Sequence, residues 1–274
     1  MAEIFDAHIH CSELPDDGLY QFAKANSLDY NLKELLGLMK KHGVRSGLLL
    51  SPPLKSGLPA PNERIIELSE RSNGKLYPIL TVEPNMHSVN KAMKLASEKR
   101  GAVKGFKIRL GYVETFPYSK VFAPLYNYAE SKDLPVLFHT GDTATSNGSL
   151  RHSHPLGLDT LANQRPKLKI IACHFGNPWL MDTAELLYKH ENLFADVSGL
   201  FAGGSKYSEM YLDYLARTIS EAIYHAGSAD KILFGTDYPI ENFADAISLL
   251  KKLGIDASDK QKIFSRNAKR LFLT

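Results

Sequence analysis

The feature that most constrains this fold is a rhythm. Short runs rich in β-branched and aromatic residues alternate with segments of helical period almost without interruption along the chain. Such alternation marks parallel βα units, because parallel neighbours need a crossover and a helix supplies it. Strands are predicted at 4–10, 46–51, 76–82, 103–110, 135–139, 169–174, 193–197 and 231–236. Helices are predicted at 31–42, 62–72, 89–99, 121–132, 158–164, 179–190, 209–225 and 242–253, several closed by a glycine such as Gly43, Gly74 or Gly254. A last amphipathic segment, 258–273, is expected to pack as an additional C-terminal helix. Eight repeats in 274 residues, 44% of them hydrophobic, fit one large α/β domain spanning 1–274. No glycine-rich phosphate fingerprint follows the first strand, so a closed (β/α)8 TIM barrel is expected rather than an open doubly wound sheet.

A barrel places functional side chains where strands give way to βα loops, at the C-terminal mouth. His8 and His10 end the first predicted strand. Residues two apart in a strand share a face, so this pair can grip one cation. A lone His-x-His is more often a surface or capping pair; here three later strands also end in ligand-type residues, His139, His174 and Asp237. Lys107 and Arg109 end the fourth strand and lie on one face of it. Four longer loops, 11–28, 52–61, 141–157 and 199–207, all follow strands and are where selectivity is expected. The last is glycine-rich enough to move as a lid.

Neutral imidazoles and a carboxylate suit a divalent zinc-like cation, which lowers the pKa of its water from about 15.7 toward roughly 7. Beside the set offered by His8, His10 and His139, His174 and Asp237 are the candidates for moving protons. The remaining histidines have plainer readings. His152 and His154 sit in a segment of loop composition, and His42, His190 and His225 close predicted helices, where they complement the helix dipole. Trp179 and Phe175 are expected to pack near the mouth, and Glu83 and Glu114 belong to no motif.

Charge excludes some partners. With 33 basic and 30 acidic residues the net charge is +3, and no basic stretch interleaves with aromatics, so no nucleic acid is expected. No apolar run approaches the roughly 20 residues of a membrane span, and no basic-then-apolar leader opens the sequence. Cys11 and Cys173, the two cysteines, are read as reduced thiols of a cytoplasmic protein.

Taken together, Asp6-Ala7-His8-Ile9-His10, Gly105-Phe106-Lys107-Ile108, Phe138-His139, Cys173-His174-Phe175-Gly176, Phe234-Gly235-Thr236-Asp237-Tyr238-Pro239 and Arg266-Asn267-Ala268 resemble the amidohydrolase superfamily. More narrowly they resemble its branch containing aminocarboxymuconate semialdehyde decarboxylase, aromatic-acid decarboxylases and lactone hydrolases. The resemblance implies one divalent metal, zinc first and manganese as the alternative, on His8, His10, His139 and Asp237, with His174 orienting or deprotonating the metal's water. Members with two metals bridge them through a carboxylated lysine on the fourth strand. For Lys107 a cation aimed at a substrate carboxylate is the favoured role and that bridge the alternative; Arg109 would point the same way. A small, carboxylate-bearing substrate and pairing as a homodimer are implied too. The chain is short for the decarboxylase members, which implies trimmed loops. Hydrolysis of a small cyclic ester, lactone or amide is the leading expectation. Non-oxidative decarboxylation of an unsaturated or aromatic acid comes second, and a non-catalytic binding barrel third.

Overall fold

The computed structural model describes residues 3–201 and 208–273. Of the segment 199–207, expected as a lid, residues 202–207 lie outside the described residues. Eight parallel strands pair in chain order: β1 (Ile4–His10), β2 (Val44–Leu50), β3 (Leu76–Thr81), β4 (Gly105–Ile108), β5 (Val136–Phe138), β6 (Ile170–Ala172), β7 (Leu193–Asp196) and β8 (Ile232–Leu233). The ring closes between its two ends. Ala7 N donates to Phe234 O at 2.8 Å, Asp237 N to His8 O at 2.7 Å and His10 N to Tyr238 O at 2.8 Å. The helices are α1 (Tyr20–Ala25), α2 (Leu32–His42), α3 (Asn62–Arg71), α4 (Met86–Glu98), α5 (Ala123–Ser131), α6 (Leu150–Ser153), α7 (Gly157–Gln164), α8 (Leu180–Lys189), α9 (Ser208–Ala226), α10 (Phe243–Lys252), α11 (Ala257–Gln261) and α12 (Asn267–Phe272). This is the expected (β/α)8 barrel with added C-terminal helical structure.

Local chemistry explains the boundaries. The Asn31 side chain accepts the Glu34 N–H to open α2, and Gly43 closes it at φ 77°, a left-handed turn that glycine adopts at least cost. Every residue of β1 is buried, as expected for a strand covered on both faces. Inside the ring, Phe5, Leu48, Leu50, Ile79, Leu137 and Ile171 share one apolar cluster with Leu271 and Phe272 of the C-terminal segment. The Phe272 ring stacks on Phe5, 6.4 Å between centroids, near the start of β1. The C-terminal segment therefore seals the barrel at the end away from the mouth. No helix among the described residues is long and apolar enough to cross a membrane.

Two expectations need correction. Several strands, β4 and β8 among them, are shorter than predicted: β4 ends at Ile108 and β8 spans only Ile232–Leu233, so Arg109 stands on the loop that leaves β4, and Asp237, expected just after the eighth strand, lies further along the loop that follows β8. The C-terminal segment is not one regular helix either. A π turn, Lys262–Arg266, separates α11 from α12. Its cause is a diverted carbonyl: Ile263 O accepts the Phe234 N–H of the barrel wall at 3.0 Å instead of serving only its own helix. Asn267 Nδ2 fixes the next turn by donating to Ala229 O and Ile232 O, each at 2.8 Å.

Candidate active site

The mouth is assembled from β1 and β8 outward. Asp6, fully buried, accepts the N–H groups of His8 and Thr236 on one oxygen and the Thr236 hydroxyl on the other, at 2.9, 3.1 and 2.7 Å. These bonds fix the backbone on which His8, His10 and Asp237 stand. Burial pushes the Asp6 pKa up to about 7 despite them. Asp237 itself sits at φ 59° and His174 at φ 61°, left-handed conformations that cost a side chain roughly 1–2 kcal/mol and that cluster at functional sites.

His8, His10 and Asp237 converge. Asp237 Oδ1 lies 3.0 Å from His10 Nε2 and 3.5 Å from His8 Nε2. His10 Nδ1 meets the Leu50 carbonyl at 3.1 Å, so its proton is there and Nε2 turns a lone pair toward the carboxylate. Two acceptors at this distance require a cation or a proton between them. Ligands bonded at about 2.1 Å with right-angle to tetrahedral geometry stand about 3.0–3.4 Å apart, which matches the spacing observed. Electrostatics agree. Burial, aided by Lys107, lowers His8 to about 4, and burial with His174 and Lys107 holds His139 well below the usual imidazole range, so both rings are neutral. Burial opposes ionisation of Asp237, and its carboxyl lies below the ordinary range because His8, His10 and His174 crowd it with imidazoles whose protons or positive charge, or a cation in their place, favour the carboxylate. Neutral imidazoles and a carboxylate fit a divalent cation.

His174 and His139 complete the cluster. The His174 ring lies 4.9 Å from that of His8 and 4.8 Å from that of His139. His139 Nε2 faces the Asp142 carbonyl at 2.9 Å, and, unlike the ligand atoms of His8, His10 and Asp237, which lie within 4.8 Å of one another, those of His139 are not drawn into that set in this arrangement. Behind the rings is a carboxylate that sequence reasoning missed. Asp196, the last residue of β7 and fully buried, meets His8 Nδ1 with one oxygen at 3.1 Å and accepts the His174 N–H with the other at 2.9 Å. Its carboxyl is held far below the ordinary range, His8 and His174 outweighing the burial. A signal was present: an aspartate inside the otherwise apolar run Leu193-Phe194-Ala195-Asp196-Val197 is out of place in a strand.

The cluster floors a cavity of about 650 Å³ whose walls come from three of the loops expected to carry selectivity, around Tyr20, Gly57 and Asn147. Lys107 and Arg109 both line it. Lys107 Nζ donates to Cys173 Sγ at 2.8 Å, and nothing here supports its carboxylation or a second metal. Arg109 donates through Nη2 to Gly57 O at 3.0 Å and to Glu83 Oε1 at 3.1 Å, while its buried Nε has no partner among the described residues. Glu83 thus has a role that its sequence context did not reveal. Tyr112 packs its ring 4.8 Å from His139 and accepts the Ala144 N–H, tying a loop to the site. Five other histidines make contacts away from the cluster. His152 packs on Phe116, His154 on Trp179, His42 on Phe243, His190 bonds Asp159 and His225 bonds Glu185. Phe175 is buried.

The family model for amidohydrolases matches residues 5–273. Among curated proteins, the chain is 24% identical to the gamma-resorcylate decarboxylase of Rhizobium sp. (strain MTP-10005), over 86% of this chain and 85% of that one. Among solved structures, it superposes with a TM-score of 0.72 on a probable 2-pyrone-4,6-dicarboxylic acid hydrolase from Acinetobacter baumannii, 18% identical over 99% and 100% of the two chains. A dihydroxybenzoic acid decarboxylase from Polaromonas sp. JS666 with bound manganese and 2-nitroresorcinol gives 0.70, 18% identical over 100% and 97%.

Proposed function

This chain belongs to the amidohydrolase family, and from that premise we propose that it is a metal-dependent decarboxylase of a small aromatic or unsaturated carboxylic acid. The carrying observation is that curated relatives named for decarboxylation match over most of both chains. Hydrolysis of a lactone or amide, first in the sequence reading, therefore becomes the runner-up. His8, His10 and Asp237 would hold one divalent cation, manganese or zinc, with His139 as the fourth ligand. When bound, the cation supplies Lewis acidity that polarises and orients substrate oxygen atoms. The chain's own groups do the rest.

In this reading Arg109 and Lys107 present positive charge to the substrate carboxylate, and the unpartnered Arg109 Nε is a donor available to it. The cavity walls hold the substrate away from bulk water. As the carbon–carbon bond breaks, its electron pair stays on the substrate carbon and carbon dioxide departs. A proton must then reach that carbon: His174, lining the cavity, takes one up from water on Nε2 and hands it on, its Nδ1 proton staying in place, with Asp237 as the adjoining carboxylate. Pairing as a homodimer in the cytoplasm belongs to the same proposal, the dimer being read by light scattering.

The test is product analysis. Metal-loaded protein is incubated in D2O with a panel of hydroxybenzoates, unsaturated acids and lactones. Release of one carbon dioxide per substrate consumed, with one deuterium on the product carbon, is expected. A new acid group formed without carbon dioxide would establish hydrolysis instead.

A further inference from the structure

Asp196 and Ser198 lie behind the cluster, and nothing in the proposed reaction uses them. Ser198 Oγ stands 3.0 Å from His8 Nδ1 and 3.1 Å from His174 Nδ1, and donates its proton to Asp196 Oδ1. One hydroxyl, with one proton and two lone pairs, thus touches both imidazoles. All three groups are buried: Asp196 and Ser198 fully, His8 to within 1%.

Counting protons settles the tautomers. The Ser198 proton is spent on Asp196, so toward each ring Oγ acts as an acceptor. Asp196 Oδ2, 3.1 Å from His8 Nδ1, is an acceptor, and Ser198 O, 3.1 Å from His174 Nδ1, is another. Every atom around the two Nδ1 positions accepts, so both rings carry their proton on Nδ1. The nitrogen left with a lone pair is Nε2 in each: on His8 the atom facing Asp237, on His174 the one not taken up by Ser198.

We infer that Asp196 and Ser198 are a shared positioning pair that sets the same tautomer on His8 and His174, keeping His8 Nε2 open for a cation and His174 Nε2 open for proton transfer. The inference rests on the metal reading for its purpose. Its tests need no substrate, so failure of the decarboxylase reading and failure of this one are separate outcomes.

The informative variant is Asp196→Asn, because an amide can point only one way here. Oδ1 receives three donors, the N–H groups of His174 and Ser198 and the Ser198 hydroxyl, so the amide oxygen must take that place. The NH2 group then lands opposite His8 Nδ1 and donates to it, which forces the His8 proton onto Nε2 and blocks the ligand lone pair. Asp196→Ala removes the acceptor without imposing the wrong tautomer. A merely structural aspartate would tolerate the isosteric asparagine better than alanine. A tautomer-setting one reverses that order.

Metal affinity of the full chain is measured by chelator competition with Mn2+ and Zn2+. The expected result is a loss of roughly 100-fold for Asp196→Asn and roughly 10-fold for Asp196→Ala, the range typical of groups behind metal ligands. Asparagine binding as tightly as alanine or tighter would overturn the inference. Should either variant fail to fold, the metal-free wild-type protein answers directly through histidine ring 15N shifts, with His8→Gln and His174→Gln spectra giving the assignments. Both rings are expected protonated on Nδ1. An Nδ1 left bare in either ring would refute the pair.

Discussion

Gly199 separates two costs that a single substitution usually merges. It stands at φ 63°, and a Cβ built there would meet Asp237 Oδ2 at 2.7 Å and His174 Nδ1 at 3.2 Å. Gly43 has a similar backbone, φ 77°, with nothing within 4 Å. Each Gly→Ala change pays roughly 1–2 kcal/mol for a left-handed alanine, a fall of roughly 2–4 °C per kcal/mol in melting temperature for a chain near this size. Only Gly199→Ala pushes on the site. The atom it meets is the far end of a short side chain, which yields by roughly 0.5–1 Å to restore ordinary contact. A ligand oxygen tolerates about 0.2 Å. The displaced carboxylate should weaken metal binding at least about tenfold, or about 1.4 kcal/mol. The assay pairs thermal melting of the metal-free proteins with chelator competition for Mn2+. Gly43→Ala is expected to melt early and bind metal normally, whereas Gly199→Ala melts early and binds poorly. Equal metal affinity in the two would refute the placement of Asp237 in the ligand set.

Three further outcomes follow from the same geometry. His174→Gln should keep its metal and lose turnover by about 10²- to 10⁴-fold; metal analysis beside rate measurement checks both, and unchanged turnover would remove His174 from proton transfer. Arg109→Ala should raise KM by roughly 10- to 100-fold, the loss expected for a charged hydrogen bond to carboxylate, and steady-state kinetics with the carboxylate-bearing substrate beside competitive inhibition by its amide would reveal it; equal losses in KM and in the amide's inhibition constant would sink the assignment. Glu13 ties the first loop to α3. Burial works against its ionisation, but the Leu32 N–H, Arg71 and Arg64 prevail and hold its carboxyl below the usual range. Its contribution to stability is therefore present above the unfolded value of about 4.3 and lost as pH falls through the lower folded value. Urea unfolding of metal-free wild type and Glu13→Gln should show a gap at pH 7 that narrows as pH falls below the unfolded value and closes below the lower folded one; a gap that persists in acid would mean the charge is not its source.

Much of this molecule was legible before any coordinates. The βα rhythm yields the barrel because periods of two and near 3.6 alternate eight times, and the strand-end histidines follow from where a barrel puts its mouth. Strand ends were less legible. Gly105-Phe106-Lys107-Ile108-Arg109-Leu110 reads as one apolar-alternating run, yet the ladder stops at Ile108, and the Arg109 side chain beyond it reaches Gly57 and Glu83. The π turn was invisible because it depends on Phe234, distant in sequence, claiming the Ile263 carbonyl. Asp196 was not legible because a lone aspartate in an apolar strand gains its role only once the fold brings it behind His8 and His174. The side-chain direction of His139, whose Nε2 turns to the Asp142 carbonyl, is a matter of packing that no motif encodes.

The most direct test of the central claim, one divalent cation held by His8, His10 and Asp237, is elemental analysis of the purified chain beside His10→Ala. About one equivalent of manganese or zinc in the wild type, and a small fraction of that in the variant, is the result predicted here. Two equivalents would return Lys107 to consideration as a carboxylated bridge. None in the wild type, even after reconstitution with both metals, would contradict the account and leave a binding barrel in its place.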